Sequence, residues 1–256
     1  MRIYPIADRN LNRLESFTSR YGFVGICSVC GLPSYFGKFR DNHRELGYCI
    51  LCKASNRKRQ LGFVLRKLLN FGDFGKITSD KQILNAEASG GLHHCLKHNV
   101  NYVSCEYFGR KYKSGDIVNG ILNVDLAHSH FEGNAFDVVM TSDVFEHIPD
   151  PYKAFKEIYR ILKPGGVHIF TVPFYQTGYF DEKRAEIMDG EVIHHMEPIY
   201  HLDPLNPDGI LVYNIFSLEM LLKLAQLGFR TTMHKLYDIR YGIFGNNGLV
   251  FESKKI

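Results

Sequence analysis

The sequence predicts an α/β fold, a doubly wound and largely parallel sheet preceded by a small cysteine-rich domain. Three observations predict it. From residue 81 onward, short apolar runs ending in polar residues alternate with helical patterns. Four of the six cysteines fall early in the chain as two CxxC pairs, and one amphipathic stretch joins the two regions. A chain of 256 residues can bury a substantial core in one or two domains. The expected boundaries are 1–54 for the cysteine-rich region, 55–80 for a linker helix and 81–256 for the α/β domain.

Taken in order, residues 22–53 hold Cys27, Cys30, Cys49 and Cys52 among turn-forming Gly31, Pro33, Gly37 and Gly47, with little apolar mass. Residues 55–71 (SNRKRQLGFVLRKLLNF) place Leu61, Val64, Leu65, Leu68 and Leu69 on one helical stripe, with Gly72 as the stop. The segments QILNAE, NYVSCE, ILNVD, FDVVMTSD and GGVHIFTVP then read as short buried strands. Between the last two lies a helix over 151–162, with Asp150 as cap, Pro151 at its first position and Ala154, Phe155, Ile158, Ile161 and Leu162 on its buried face. Lys163-Pro164-Gly165-Gly166 ends it. Ser217 is placed to cap a second helix, SLEMLLKLAQL, and FRTTMHKLYD and NGLVFESKK follow as a strand pair. Residues 174–216, rich in His, Pro, Asp and Tyr, read as a long irregular lid or substrate loop.

Bulk properties narrow the function. A net charge of +4 is too weak to argue for nucleic acid or an anionic membrane. The start MRIYPIADRNLNRLESF has no apolar core of a signal peptide, and no run approaches the roughly 20 apolar residues of a membrane span. A cytoplasmic chain is expected, where paired cysteines favour metal over disulfides. The adjacent Arg57, Lys58 and Arg59 read as a solvated helix face rather than a nucleic-acid contact.

Cys27-x2-Cys30-x18-Cys49-x2-Cys52 has the spacing of a four-thiolate zinc site, two knuckles over one tetrahedral ion. The segment is too poor in apolar residues to bury four reduced thiols as core. A closed set of four ligands leaves no position for water, so the expected role is structural. A second stretch, ILNAEASGGLHHCL (83–96), admits a cofactor loop, a His/Cys metal site or an ordinary turn. His93, His94 and Cys95 are contiguous, and helical neighbours about 100° apart do not suit one ion.

The segment FDVVMTSDVFEHIPDPYKAFKEIYRILKPGGVHIFTVPF (136–174) resembles the S-adenosylmethionine-dependent methyltransferases of the Rossmann-like class, of the type 11-like kind. The resemblance implies a seven-stranded sheet over 81–256 whose last strand is antiparallel. With the N-terminal cysteine quartet, the chain is also similar to a bacterial subgroup associated with sugar and polysaccharide biosynthesis. The resemblance places a cofactor loop at Glu87-Ala88-Ser89-Gly90-Gly91, with Glu87 and Ser89 where glycines are common. It implies Glu87 for the cofactor ammonium, Glu106 for the ribose hydroxyls and Tyr107 beside adenine. Asp125 and Leu126 would meet the adenine edge. Ser142 and Asp143 would lie near the methionine part, and His147 would sit at the corner where cofactor meets acceptor.

Methyl transfer from a sulfonium is an in-line displacement in a dry site, and an oxygen acceptor must lose a proton, a task suited to histidine. His147, His195 and His201 are the candidate bases. The acceptor expected from the resemblance is a sugar or sugar-derived hydroxyl of a surface glycan (capsule or O-antigen). A small metabolite or phosphorus-containing acceptor, an RNA acceptor and a non-catalytic zinc-stapled scaffold are the alternatives.

Overall fold

A computed structural model describes residues 20–37, 39, 43–203, 206–245 and 248–256. Residues 1–19 and two residues of the segment 174–216 lie outside the described residues. The chain forms two compact units. One takes the chain up to Ser79 together with Ser89–His98 and His234–Val250; the other takes Asp80–Ala88, Asn99–Met233 and Phe251–Ile256.

In the first unit, β1 (Phe23–Ile26), β2 (Pro33–Gly37) and β3 (Tyr48–Cys49) form an antiparallel three-stranded sheet in chain order. Helix α1 (Asn56–Leu68) starts at Ser55, whose hydroxyl accepts the Lys58 N–H. Its end differs from the expected one. Asn70 adopts φ +50°, while Phe71 N–H donates to the Arg66 carbonyl and Asn70 N–H to the Lys67 carbonyl. This is a Schellman stop, made two residues before Gly72 by an asparagine that tolerates the left-handed region. The basic run is not a solvated face throughout. Arg59 is fully buried, donating to the carbonyls of Gly242 and Ala54 and lying over the Phe36 ring, while Arg57 Nε pairs with both Glu45 oxygens. Each guanidinium is spent on internal acceptors, and burial, opposed by the charges of Cys27, Cys49, Cys52 and Cys30, lowers the Arg59 pKa only to about 10, so it stays charged at neutral pH. The seven-residue α2 (Gly90–Leu96) belongs to this unit as well.

The second unit is organised by β4 (Ile83–Asn85), β5 (Tyr102–Glu106), β6 (Ile117–Val118), β7 (Ile121–Asn123), β8 (Phe136–Ser142) and β9 (Leu162–Thr171), with β16 (Phe229–Lys235) and β17 (Leu249–Lys255) completing the sheet. Strand order is β16-β17-β9-β8-β4-β5-β7-β6. The pairs β4–β5, β4–β8, β5–β7 and β8–β9 are parallel, and β17 runs antiparallel to β9. Seven strands follow the expected plan; the eighth, β6, is a two-residue antiparallel addition on the β7 edge. The chain goes outward from β4 through β5 to β7, then returns to β8 on the other side. That reversal creates the crevice at the carboxyl ends of the strands where open α/β sheets bind ligands.

Helix α3 (Pro151–Ile161) starts as the sequence predicts, with Asp150 accepting the Lys153 N–H at 3.2 Å and proline in the first turn. It runs directly into β9. Lys163–Gly166 is absorbed as an irregularity between the pairs Phe136↔Leu162 and Val138↔Val167, pinned by Lys163 Nζ on Asp137 at 2.7 Å. Helix α4 (Leu218–Gln226) departs from expectation at its start. Ser217 makes no side-chain cap; its own N–H donates to Asp181 at 2.8 Å. The segment 174–216 is not irregular. It contains three antiparallel pairs: β10 (Glu182–Lys183) with β15 (Asn214–Ile215), β11 (Ala185–Met188) with β12 (Glu191–His194), and β13 (Tyr200–Asp203) with β14 (Asn206–Leu211). Among the described residues no helix is long and apolar enough to cross a membrane.

The core of this unit stacks Phe145 on Phe155 and His168 on Phe170. His168 is fully buried, its Nε2 3.0 Å from Thr141 Oγ1, and burial lowers its pKa to about 3. Folding therefore holds this ring neutral, whereas the unfolded chain protonates it near pH 6.5. Its contribution is complete above that pH and is lost as pH falls from 6.5 through 3. Urea unfolding across this window should show that His168→Phe flattens the dependence by up to about 1.4 kcal/mol per pH unit. Parallel curves for the two proteins would refute the assignment.

Candidate functional site

Four cysteines of the first unit form a closed cluster. The turns that carry them are duplicates. Cys27 N–H donates to Leu32 and Gly31 N–H to Cys27; Cys49 N–H donates to Ala54 and Lys53 N–H to Cys49. The residue after each pair takes the left-handed region, Gly31 at φ +68° and Lys53 at φ +61°. Such turns aim both sulfurs of a CxxC to one point. All four Sγ atoms lie within 4.8 Å of one another, and Cys27 Sγ is 3.7 Å from Cys52 Sγ. A tetrahedral zinc with Zn–S of about 2.3 Å sets its sulfurs about 3.8 Å apart. Disulfides are absent, since all six cysteines are free. Hydrogen bonds from Cys27, then Cys30 and Cys52, push the Cys49 thiol far below its ordinary pKa, and the same sulfur contacts push Cys27 and Cys52 up, so the four share their protons as one crowded group. Four thiolates on a divalent ion carry two net negative charges. Burial lowers the pKa of Arg59 and Arg66, and the charges of nearby cysteines offset part of that cost for each guanidinium, so both are placed to balance such a group. The donor set, spacing and counter-charges fit zinc.

Gly91 and Cys95 on α2 adjoin this cluster. A Cβ on Gly91 would sit 2.4 Å from the Cys52 carbonyl and 2.8 Å from the Ala54 nitrogen. Gly91 thus has a packing role against the second knuckle, a signal that the loop pattern alone does not carry. Cys95 hydrogen-bonds Cys52, which lowers the Cys95 pKa. Ser89 precedes the helix in extended conformation without capping it, and Gly90 takes φ +75°, where a side chain would be strained.

In the second unit, the carboxyl ends of β4, β5, β7 and β8 present the expected polar groups. Asn85 ends β4, its amide donating to the Glu87 carbonyl and to Tyr102 Oη, both at 2.9 Å. Glu106 ends β5 and accepts the Ala88 N–H at 2.8 Å, tying the strand end to the loop after β4. Tyr107 follows with half of its surface exposed. After β7, the Val124 N–H returns to the Glu106 carbonyl, Asp125 accepts from Ala127 N–H at 2.8 Å, and Leu126 is buried. Ser142 and Asp143 end β8. Asp143 stands at φ +55° and is held there by Thr171, whose hydroxyl donates to Oδ1 at 2.8 Å and whose carbonyl accepts its N–H. A non-glycine residue kept in this region against its preference is the kind of local strain found at sites. Glu87, Glu106, Asp125 and Asp143 supply acceptors. S-adenosylmethionine offers an ammonium, two ribose hydroxyls and an adenine amine, all donors, so the set fits it.

The candidate bases separate. His147, on the 3-10 turn Phe145–His147, and His201, on β13, lie with ring centroids 5.1 Å apart. Between them sits Glu146, which the sequence reading passed over. It has no solvent exposure, and burial, then the Asp143 charge, raise its pKa to about 7 against the pull of His201. His195 is elsewhere engaged, its Nε2 3.1 Å from Glu186 on the β11–β12 hairpin. The signal for Glu146 was its place beside His147 on an otherwise apolar turn.

A parallel sheet with a switch point, and carboxylates at successive strand ends, defines an α/β domain of nucleotide-binding type. Residues 82–170 match the family model for a methyltransferase domain. Phosphoethanolamine N-methyltransferase 2 of Caenorhabditis elegans is 46% identical over 52 residues, which is 20% of this chain and 11% of that protein. The sterol 24-C-methyltransferase of Clavispora lusitaniae is 32% identical over 81 residues, 32% of this chain and 21% of that protein. The chain therefore spans well under two thirds of each curated relative. Among solved structures, the 1,6-didemethyltoxoflavin-N1-methyltransferase of Burkholderia thailandensis, with 1,6-didemethyltoxoflavin and S-adenosylhomocysteine bound, gives a TM-score of 0.47 at 14% identity, covering 78% of each chain.

Proposed function

We propose that this protein is an S-adenosylmethionine-dependent methyltransferase stapled by a structural zinc at Cys27, Cys30, Cys49 and Cys52. The carrying observation is the line of acceptors at the ends of β4, β5, β7 and β8, inside the segment that matches a methyltransferase domain. The cofactor, when bound, supplies an activated methyl group on a sulfonium. The residues assigned to it are Glu87, Ser89, Gly90 and Gly91 in the loop, Glu106 and Tyr107, Asp125 and Leu126, and Ser142 and Asp143. His147 and His201 are the favoured bases. His195, held by Glu186, ranks below them. With no disulfide among its six cysteines, the chain suits the reducing cytoplasm.

For the acceptor we favour a hydroxyl of a sugar or sugar-derived group in surface polysaccharide synthesis. Exposed Tyr175, Tyr179, Phe180 and Tyr200 in the segment 174–216 offer the aromatic faces on which sugars stack. A small phosphorus-containing acceptor is the second reading, favoured by the phosphoethanolamine relative, though over only 20% of this chain. Internal use of Arg59 and Arg57 counts against RNA. Calorimetry with S-adenosylhomocysteine tests the cofactor reading: one site per chain is expected, and absence of both heat and thermal shift would favour a non-catalytic scaffold. Incubation with labelled cofactor and nucleotide sugars or phosphoethanolamine then separates the acceptors.

A further inference from the structure

The trio Glu146, His147 and His201 is built in a way that methyl transfer alone does not require. Glu146 is fully buried, and neither carboxylate oxygen has a hydrogen-bond partner. Leaving both oxygens of a buried carboxylate unmatched is costly. His147 Nδ1 lies 2.8 Å from the Leu211 carbonyl, which can only accept, so Nδ1 carries the proton and Nε2 of the neutral ring is a lone pair. That Nε2 is 3.8 Å from Glu146 Oε1, and His201 Nδ1 is 3.6 Å from the same oxygen. Both separations exceed a hydrogen bond. One ligand atom from each residue lies within 4.8 Å of the others.

A cation between them resolves the conflict. Metal bonds of about 2.0–2.1 Å in tetrahedral array set N and O ligands about 3.3 Å apart, a few tenths of an ångström closer than the 3.8 and 3.6 Å from Glu146 to the two imidazoles. The Leu211 carbonyl on Nδ1 is the outer partner that fixes the tautomer and orientation of a metal-binding histidine. Glu146 closes the inner side, while the His201 side chain, 38% exposed, stands on the open side.

We propose that Glu146, His147 and His201 form a second metal site, a carboxylate and two imidazoles for a divalent first-row transition ion, separate from the four cysteines. Three protein ligands leave coordination positions open. Resting on the methyltransferase reading, the open positions take an oxygen of the methyl acceptor, which makes the preferred substrate a hydroxyl able to bind a metal. With both imidazoles held by the ion, neither is the base, so in place of the histidine route the bound hydroxyl gives its proton to water on the open side of the site. Its oxygen then forms a bond to the methyl carbon as the carbon–sulfur bond breaks, and the sulfonium leaves as neutral S-adenosylhomocysteine.

Manganese is the probe, because it prefers nitrogen and oxygen ligands and leaves zinc on thiolates. Zinc-loaded protein is titrated with Mn2+ and free Mn2+ is followed by electron paramagnetic resonance. One Mn2+ per chain is expected, with affinity at least tenfold weaker in Glu146→Gln and in His201→Ala. The second variant alters a half-exposed side chain and guards against misfolding in the first. Wild-type protein that binds no Mn2+, or folded variants that bind it as tightly as wild type, overturns the site. Calorimetry with S-adenosylhomocysteine on the same samples tests the underlying reading separately. Mn2+ bound without S-adenosylhomocysteine upholds the metal site and removes the methyltransferase role.

Discussion

Cys49→Ser is expected to abolish zinc binding and unfold the cysteine-bearing unit. Its sulfur is fully buried, faces the Ser34 hydroxyl at 3.1 Å and lies 3.5 Å from the Cys52 N–H. Serine supplies neither the bond length nor the anionic character that the ion needs. Structural zinc contributes on the order of 10 kcal/mol to the folding of small domains, more than such a unit holds in reserve. Metal analysis should fall from one zinc per chain to near none, with early loss of near-ultraviolet circular dichroism on heating. Cys105→Ser, at a buried cysteine in the other unit, should keep its zinc. A stoichiometric zinc retained by Cys49→Ser would end the four-thiolate reading.

Glu106→Ala should weaken S-adenosylhomocysteine binding about 100-fold, from two charge-assisted hydrogen bonds to a vicinal diol at roughly 1.5–3 kcal/mol each, partly regained through water. The substitution also strands the Ala88 N–H, which Glu106 accepts at 2.8 Å, and so loosens the loop it steadies. Glu106→Gln keeps an acceptor for that N–H and should lose only about tenfold, since hydrogen bonds to charged groups exceed neutral ones by about 1 kcal/mol. Equal affinities for wild type and Glu106→Ala in calorimetry would move the ribose contact off β5.

Local signals in the sequence carried far. The helix at 151–161 could be read because Asp150, Pro151 and a regular apolar face agree on one answer. The parallel strands were legible as short apolar runs closed by polar residues, and their order follows from the methyltransferase resemblance. The cysteine quartet was legible because CxxC spacing is itself a geometric constraint. What escaped depends on contacts far apart in the chain. Nothing local distinguishes Arg59 from Arg57 or Lys58; only the distant Gly242 carbonyl makes it a buried residue. Gly91 reads as part of a loop until Cys52 and Ala54 are set against it. The segment 174–216 looked irregular because its strands are short, and β11 and β12 lack the apolar alternation that marks a half-buried strand, β12 being exposed throughout. Glu146 escaped because its partner His201 lies far along the chain, on β13.

The first unit is also tied across the length of the sequence. Asn56 donates to the Phe244 carbonyl and Arg59 to the Gly242 carbonyl, acceptors 188 and 183 residues downstream. Without them, an amide and a guanidinium destined for burial keep only the nearby His43 and Ala54 carbonyls. The loop closure that joins these ends is a large entropic cost, met only when both segments pack together. A chain cut between the two segments would therefore retain its four cysteines and still fail to settle. The cysteine-bearing segment and the segment around Gly242 form one cooperative unit, although nearly the whole of the other unit lies between them in sequence.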